Sequence, residues 1–413
     1  MSFSNHQNIQ HQMFRIRFTE LNEIFAVMSL RSFVCSMIGI FIAIYLYTIG
    51  FSLRDIFIFH IVMFTTELIF EMVAAKLISA RGPKHVLAIS LPFLIGHFWL
   101  LSTVQTFGWP LWFPAILGGI HLALYWQAYN YDFSKSKHTN EATKDVSRLY
   151  IGLAVLGAIA PLVGGYISTK YGFGTLYTVV ILLLFFVFLP LAKTSEKHIP
   201  KSFSLRKIKI KPIIRDVVSY GGNGMEASAS LVAWPLFVFM IVGTTEKVGL
   251  ITSAALLITI VVTFVVGKRV NNTNRHKYIK TGSLMDGVIY ACLVFVNTFT
   301  QVLSLDFARS LVSSLRSAPF VSEYYLHADE QNRAEYIYIM ESAIDLFKIV
   351  QYVILFALSF WLAIKGLLVV GLLMGAVGSL LTAFMPRAKC ELPFCQDNKI
   401  KLIPKLRSKY EAD

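Results

Sequence analysis

Charge is what this chain lacks most. Only 15% of its 413 residues are Asp, Glu, Lys or Arg, where soluble domains carry about a quarter. That shortage excludes the two or three soluble domains that the length would otherwise allow. Acids are scarcer than bases, 24 against 38, giving a net charge of +14. Such a balance suits nucleic acid or an anionic membrane surface, and the placement of the charges decides between them. Cysteine is also sparse: Cys35 and Cys292 fall in apolar runs, and Cys390 and Cys395 in the tail. A cytoplasmic pair forms no stable disulfide, and two thiols with no histidine nearby fall short of a four-ligand zinc site. No GxxxxGK phosphate loop, HExxH, Cys/His cluster or nucleophile motif occurs. These absences argue against a chain that is itself driven by ATP, against an enzyme, and against any cofactor or metal. The start does not read as a secretory signal either, because about twenty mostly polar residues precede the first apolar run.

Apolar residues are plentiful, at 55% of the chain. Two long apolar regions flank residues 193–215, where eight basic residues meet one acid, Glu196. Each region divides into six runs, at 26–49, 55–79, 85–106, 110–131, 148–169 and 173–192, then at 216–242, 247–267, 279–302, 304–327, 335–361 and 366–386. A helix crosses the hydrocarbon core in about twenty residues. Only helices or closed barrels satisfy their backbone groups in lipid, and barrel strands would alternate over about ten residues, which these runs do not. The sequence therefore predicts an all-α membrane protein of twelve helices in two six-helix bundles, 26–192 and 216–386. Residues 1–25 form an interfacial N-terminus, 193–215 a basic loop and 387–413 a tail. Within the N-terminus, Phe14, Phe18, Leu21 and Phe25 recur at helical spacing, which suits a short amphipathic helix on the membrane face or a simple extension of the first span.

Of the 38 Lys and Arg residues, 30 fall in the termini and one set of alternate loops. The other loops hold Arg54, Lys170, Lys247 and Lys365, and the spans hold Arg31, Arg309, Arg316 and Lys348. This bias puts both termini and the central loop in the cytoplasm, and the expected location is a bacterial inner membrane. Nucleic acid is not an expected partner, because no soluble surface surrounds the basic stretch. The halves also resemble each other weakly at an offset near 190, as repeated transporters do.

Two motifs carry a family resemblance. Between the second and third spans, Ala75, Leu77, Ser79, Gly82 and Lys84 resemble a worn copy of the cytoplasmic signature of the major facilitator superfamily. Leu77, Gly82 and Lys84 fit, while Ala75 replaces a glycine and Ser79 an acid. Span five, with Pro161, Gly164 and Gly165, resembles a second motif of that superfamily. Its small residues let helices approach closely, and its proline bends the helix. The arginine that drug–proton antiporters carry in span four is missing. The resemblance implies that spans one, four, seven and ten line a central cavity, that the halves rock to expose it alternately, and that Gly82, Lys84, Pro161, Gly164 and Gly165 serve the gate.

Ionisable groups inside a span are costly and are candidates for function. Glu226 and Arg316 lie near the midplane of spans seven and ten, and are expected to pair when the cavity is empty and to form the binding or coupling site. Glu67 lies nearer the midplane than Glu71, and these two share one helix face. Arg31 reaches a depth similar to Glu71, which suits a packing pair, or leaves Glu67 as a proton or substrate site. Glu341, Asp345 and Lys348 form a ladder that could satisfy itself along its own helix. Asp306 and Arg309, close to the end of their run, are expected to reach water, and Asp286 is ambiguous. In span four, His121, Tyr125 and Trp126 lie deep enough to stack on or bond to a small polar ligand.

The leading expectation is a secondary transporter of a small solute, coupled to protons through membrane carboxylates and acting as a monomer. Arg316 slightly favours an anionic solute. The alternative is a sensor or receptor on a transporter scaffold, which the worn signature turns would allow.

Overall fold

The computed structural model describes residues 29–136, 142–191, 203–204 and 210–388, and these form helices without a strand. The segment around Phe14–Phe25, most of the basic stretch and the cysteines Cys390 and Cys395 lie outside the described residues. The first helices are α1 (Ser29–Thr48), α2 (Leu53–Arg81), α3 (Pro83–Ser102) and α4 (Trp112–Ser136). Helix α5 starts as Ala142–Gly157 and resumes as residues 160–171; Gly172, at φ 83° and ψ 165°, divides it from α6, residues 173–191. After these come α7 (Ile210–Val242), α8 (Thr245–Arg269), α9 (Arg275–Leu293), α10 (Phe299–Glu330), α11 (Arg333–Leu358) and α12 (Ile364–Thr382). Among the described residues, seven helices are long and apolar enough to cross a membrane: α1, α2, α3, α7, α8, α12 and the run Ala160–Val187. Helices α4, α9, α10 and α11 carry many of the buried polar side chains, and these cluster with partners from α1, α2 and α7.

Hydrophobic runs locate the helices but not their ends, because caps set the ends. Ser52 and Asp55 form a reciprocal box at the start of α2, and Thr298 and Gln301 do the same for α10. Helix α10 therefore begins five residues before the apolar run that starts at 304. Helix α5 begins at Ala142 and α7 at Ile210, six residues before their runs in each case.

The two halves meet along two seams, α2 against α11 and α5 against α8. Small residues make the second seam possible. A side chain at Gly165 would strike the Thr245 carbonyl of α8, and one at Gly249 the Pro161 carbonyl of α5; Gly164 makes an equally close approach to the Met37 carbonyl of α1 within its own half. Helix α5 is interrupted at 158–159, just before Pro161, and there the Leu162 N–H donates to Ser253 Oγ of α8 at 3.0 Å. The break thus finds an acceptor in the other half.

Burial is inverted relative to a water-soluble protein. Leu182, Phe185, Leu257, Val261, Leu284 and Val288 face outward, while Glu67, Glu71, Asp286, Arg316 and Asp345 are buried. Apolar surface of this extent needs a cover, and lipid is the cover for helices of this length.

Candidate functional site

At the α2–α11 seam, Glu67 and Glu71 meet Asp345 and Lys348. Lys348 Nζ lies 3.0 Å from Asp345 Oδ1 and 3.8 Å from Glu67 Oε2. One carboxylate oxygen from each of Glu67, Glu71 and Asp345 falls within 4.8 Å of the other two. Gln127 of α4 donates to Glu71. Nearby, Asn130 Nδ2 of α4 and the Tyr324 hydroxyl of α10 donate to Glu341 Oε1 at 2.9 and 3.0 Å, and the Tyr325 hydroxyl donates to Asn130 Oδ1 at 2.8 Å. The ladder of α11 is therefore not self-contained: it is shared with the opposite half. Four buried carboxyls stand around one ammonium. Two like charges about 5 Å apart repel by about 3 kcal/mol at an effective dielectric of about 20. Glu67, Glu71 and Asp345 have the donor set for a cation, but Lys348 already brings a positive charge to that place, so a resident metal does not fit.

A second node lies within the other half. Arg316 of α10 donates to Glu226 of α7, to Thr382 Oγ1 of α12 at 3.1 Å and to Asp286 Oδ2 of α9 at 3.4 Å. Ser379 Oγ donates to Asp286 Oδ2 at 2.8 Å. The expected pair of Glu226 and Arg316 is formed, and Asp286 joins it as a second carboxylate. Arg316 is held toward α9 and α12 within its own half.

The third node joins α1, α3 and α4. Arg31 Nη2 donates to His121 Nε2 at 2.9 Å, and His121 Nδ1 lies 2.9 Å from the Ser90 carbonyl. An acceptor Nε2 and a donor Nδ1 define a neutral imidazole. The Arg31 guanidinium carbon sits 3.4 Å from the centroid of the Tyr125 ring, and Trp126 meets that ring edge-on at 5.2 Å. Arg31 thus engages His121 and Tyr125, whereas the sequence pointed to Glu71, which is bound by Gln127.

A fourth node occupies the α7–α10 contact. Arg309 donates to Asp306 Oδ1 at 2.9 and 3.1 Å and to Ser230 Oγ and the Tyr290 hydroxyl at 3.1 Å each, and Trp234 Nε1 donates to Asp306 at 2.9 Å. These groups do not reach out to water: Asp306 is buried, because α10 begins at Phe299 and carries it inward. A cavity of about 110 Å³ opens beside them, lined by Ser230, Trp234, Thr252, Ser310 and, from the first half, Ile40. The α7 backbone widens into a π turn there, at Ala229–Ala233, as helices often do beside functional groups.

A profile of the Major Facilitator Superfamily matches residues 24–330. The chain belongs to the Major Facilitator Superfamily. Its fold is that of two crystal structures of FucP, an E. coli fucose:proton symporter. One has a TM-score of 0.64 at 12% identity, covering 90% of this chain and 99% of that one. The other, in the outward conformation, has a TM-score of 0.64 at 11% identity, covering 88% and 97%. No curated protein matches the chain.

The superfamily's signature positions lie where the resemblance put them, in the turn between α2 and α3 and along α5. Gly82 has φ 90° and ψ 158°, a backbone conformation open almost only to glycine, and Pro83 starts α3 immediately after it. Lys84 is buried in the first turn of α3. Gly165 packs against Thr245 and Glu246 at the start of α8. Gly82→Leu is expected to cost about 1–3 kcal/mol through backbone strain, read as a lower melting temperature in detergent. Wild-type stability would show that the turn relaxes freely. The sequence set Arg275 in the turn after span eight but gave it no partners; it begins α9 and ties three elements together. It donates to Thr143 Oγ1 of α5 at 3.0 Å and to Glu323 Oε1 of α10 at 3.3 Å. A buried cation in a loop-to-helix turn was the one available signal.

Proposed function

We propose that the chain is a proton-coupled secondary transporter that moves a small solute by alternating access. In this reading twelve helices cross a bacterial inner membrane, with both termini and residues 193–215 in the cytoplasm. The single observation that carries the coupling is the seam cluster, in which Glu67 on one half shares Lys348 with Asp345 on the other, and Glu71 lies beside both acids. If the halves rock, α2 and α11 part at one end of the seam. Glu67 then loses the ammonium, while Asp345 keeps it. A carboxyl that has lost its cation takes up a proton more readily, and releases it when the seam closes again. Proton occupancy is in this way tied to the orientation of the halves, with no covalent step. The activity of FucP, fucose:proton symport, is consistent with such a device in a protein of the same fold.

The test is an uptake screen in proteoliposomes across labelled acids, sugars and cationic dyes, with and without an imposed pH gradient. With any solute found, Glu67→Gln is expected to keep solute exchange but lose accumulation driven by the gradient. Gradient-driven accumulation at the wild-type level in that variant would remove the cluster from the coupling step.

A further inference from the structure

The two halves repeat one polar node, and the first copy is missing its anion. His121 and Arg316 are 195 residues apart, as are Arg31 and Glu226, and as are Tyr125 and Phe320; Ser90 and Asp286 are 196 apart. These are matching places on α4 and α10, α1 and α7, and α3 and α9. Contacts repeat as well as positions. In each copy the α1 or α7 side chain meets the α4 or α10 side chain directly, Arg31 with His121 and Glu226 with Arg316. Each copy also sets a guanidinium over the aromatic ring one turn further along α4 or α10, Arg31 over Tyr125 and Arg316 over Phe320. The third partner comes from α3 or α9: the Ser90 carbonyl in one copy, the Asp286 carboxylate in the other.

Charge does not repeat. In the second copy one arginine is balanced by Glu226 and Asp286. In the first copy Arg31 faces a neutral imidazole, and no carboxylate among the described residues lies within ion-pair distance of it. Arg31 is about nine-tenths buried, and its Nε has no acceptor. Arginine stays protonated in proteins, and a buried charge is stable only with a partner. Cation–π contact with Tyr125 offsets part of that cost but satisfies no N–H group in the guanidinium plane.

We propose that Arg31, His121 and Tyr125 form a site for a small monocarboxylate, which brings to Arg31 the negative charge that Glu226 and Asp286 bring to Arg316 in the second half. One guanidinium and a neutral histidine suit a single negative charge better than two. Trp126, only half-buried beside Tyr125, offers apolar surface to the organic part of the ligand. The inference deepens the transport reading by naming the class of solute, and rests on it only for the steps after binding.

Binding is measured on the full chain in detergent, without any gradient, by tryptophan fluorescence and thermal shift. The probes are sodium acetate and sodium benzoate, set against sodium phosphate, sodium sulfate and glucose. Wild-type protein is expected to bind a monocarboxylate. His121→Glu places a carboxylate within reach of Arg31 and should weaken that binding about 10- to 100-fold, the worth of a charge-assisted hydrogen bond, while the melting temperature holds or rises. Should His121→Glu fail to fold, Arg31→Gln carries the test and should lose binding. The proposal is overturned if neither carboxylate binds, if phosphate or sulfate binds in their place, or if His121→Glu and Arg31→Gln bind as wild type does. Carboxylate binding without gradient-driven uptake would sink the transport reading alone. Gradient-driven uptake of a neutral solute with no carboxylate binding would sink this proposal alone.

Discussion

Lys348→Met is expected to be among the most damaging single changes in the chain, with a loss of about 3–5 kcal/mol, the usual cost of removing one partner from a buried ion pair. The substitution keeps most of the side-chain volume and takes away the one ammonium that stands 3.0 Å from Asp345 and 3.8 Å from Glu67. It leaves Glu67, Glu71, Glu341 and Asp345 buried around an uncharged thioether. Protonation of all four is the one way to keep them there, and it would freeze the cluster in a single proton state. Loss of stability should therefore come with loss of gradient-driven uptake. Adding Asp345→Asn removes one unmatched acid and should recover part of the melting temperature. Uptake should stay lost, because the ammonium that Glu67 and Asp345 share across the seam is gone. A melting temperature of Lys348→Met equal to that of wild type would mean that the acids hold enough protons without the lysine.

The second large effect is expected at Arg316. Arg316→Met leaves Glu226 and Asp286 facing each other with no cation among the residues that contact them, again at about 3–5 kcal/mol. Glu226→Gln should cost far less, about 1–2 kcal/mol, because Asp286 still neutralises Arg316 and an amide can still accept its N–H. The double variant Arg316→Met with Glu226→Gln should be more stable than Arg316→Met alone, since one of two stranded carboxylates is gone. Thermal unfolding of the four proteins, wild type included, forms a double-mutant cycle. A coupling near zero would show that the two side chains do not act on each other.

Depth in the membrane was legible in the sequence; direction around each helix was not. Glu226 and Arg316 could be matched because both lie far from the ends of their runs, and they do meet. Asp286 was ambiguous for a simple reason: its run was placed at 279–302, starting seven residues before it, whereas α9 spans Arg275–Leu293 and sets it deep. Asp306 failed in the same way, since α10 begins at Phe299, not at 304. In both cases the helix extends past the apolar run into polar residues that caps or tertiary contacts hold. Arg31 and Glu71 agree in depth but project from their helices toward different neighbours, and hydropathy carries no azimuth. The seam cluster had no local signal, because Glu67 and Lys348 are 281 residues apart and only the packing of α2 on α11 joins them. By contrast, the turn at Gly82 and the close approach at Gly164 were readable, since both demand a residue type rather than a partner.

The interruption in α5 gives the molecule a hydrogen bond with two homes. Leu162 lends its N–H to Ser253 of α8, yet four residues back along its own helix the Ala158 carbonyl stands in the place where a regular helix would receive it. If α8 slides away, that donor can fall back on the carbonyl, and if α8 returns it can be handed over again. The N–H keeps an acceptor in either position, which lowers the cost of the exchange. The Gly249 and Gly165 contacts leave no bulky side chains to unmesh on the way. If the halves rock as proposed, a joint built like this would act as a clutch, holding them in register at rest and letting them slip without tearing the backbone network on which α5 depends.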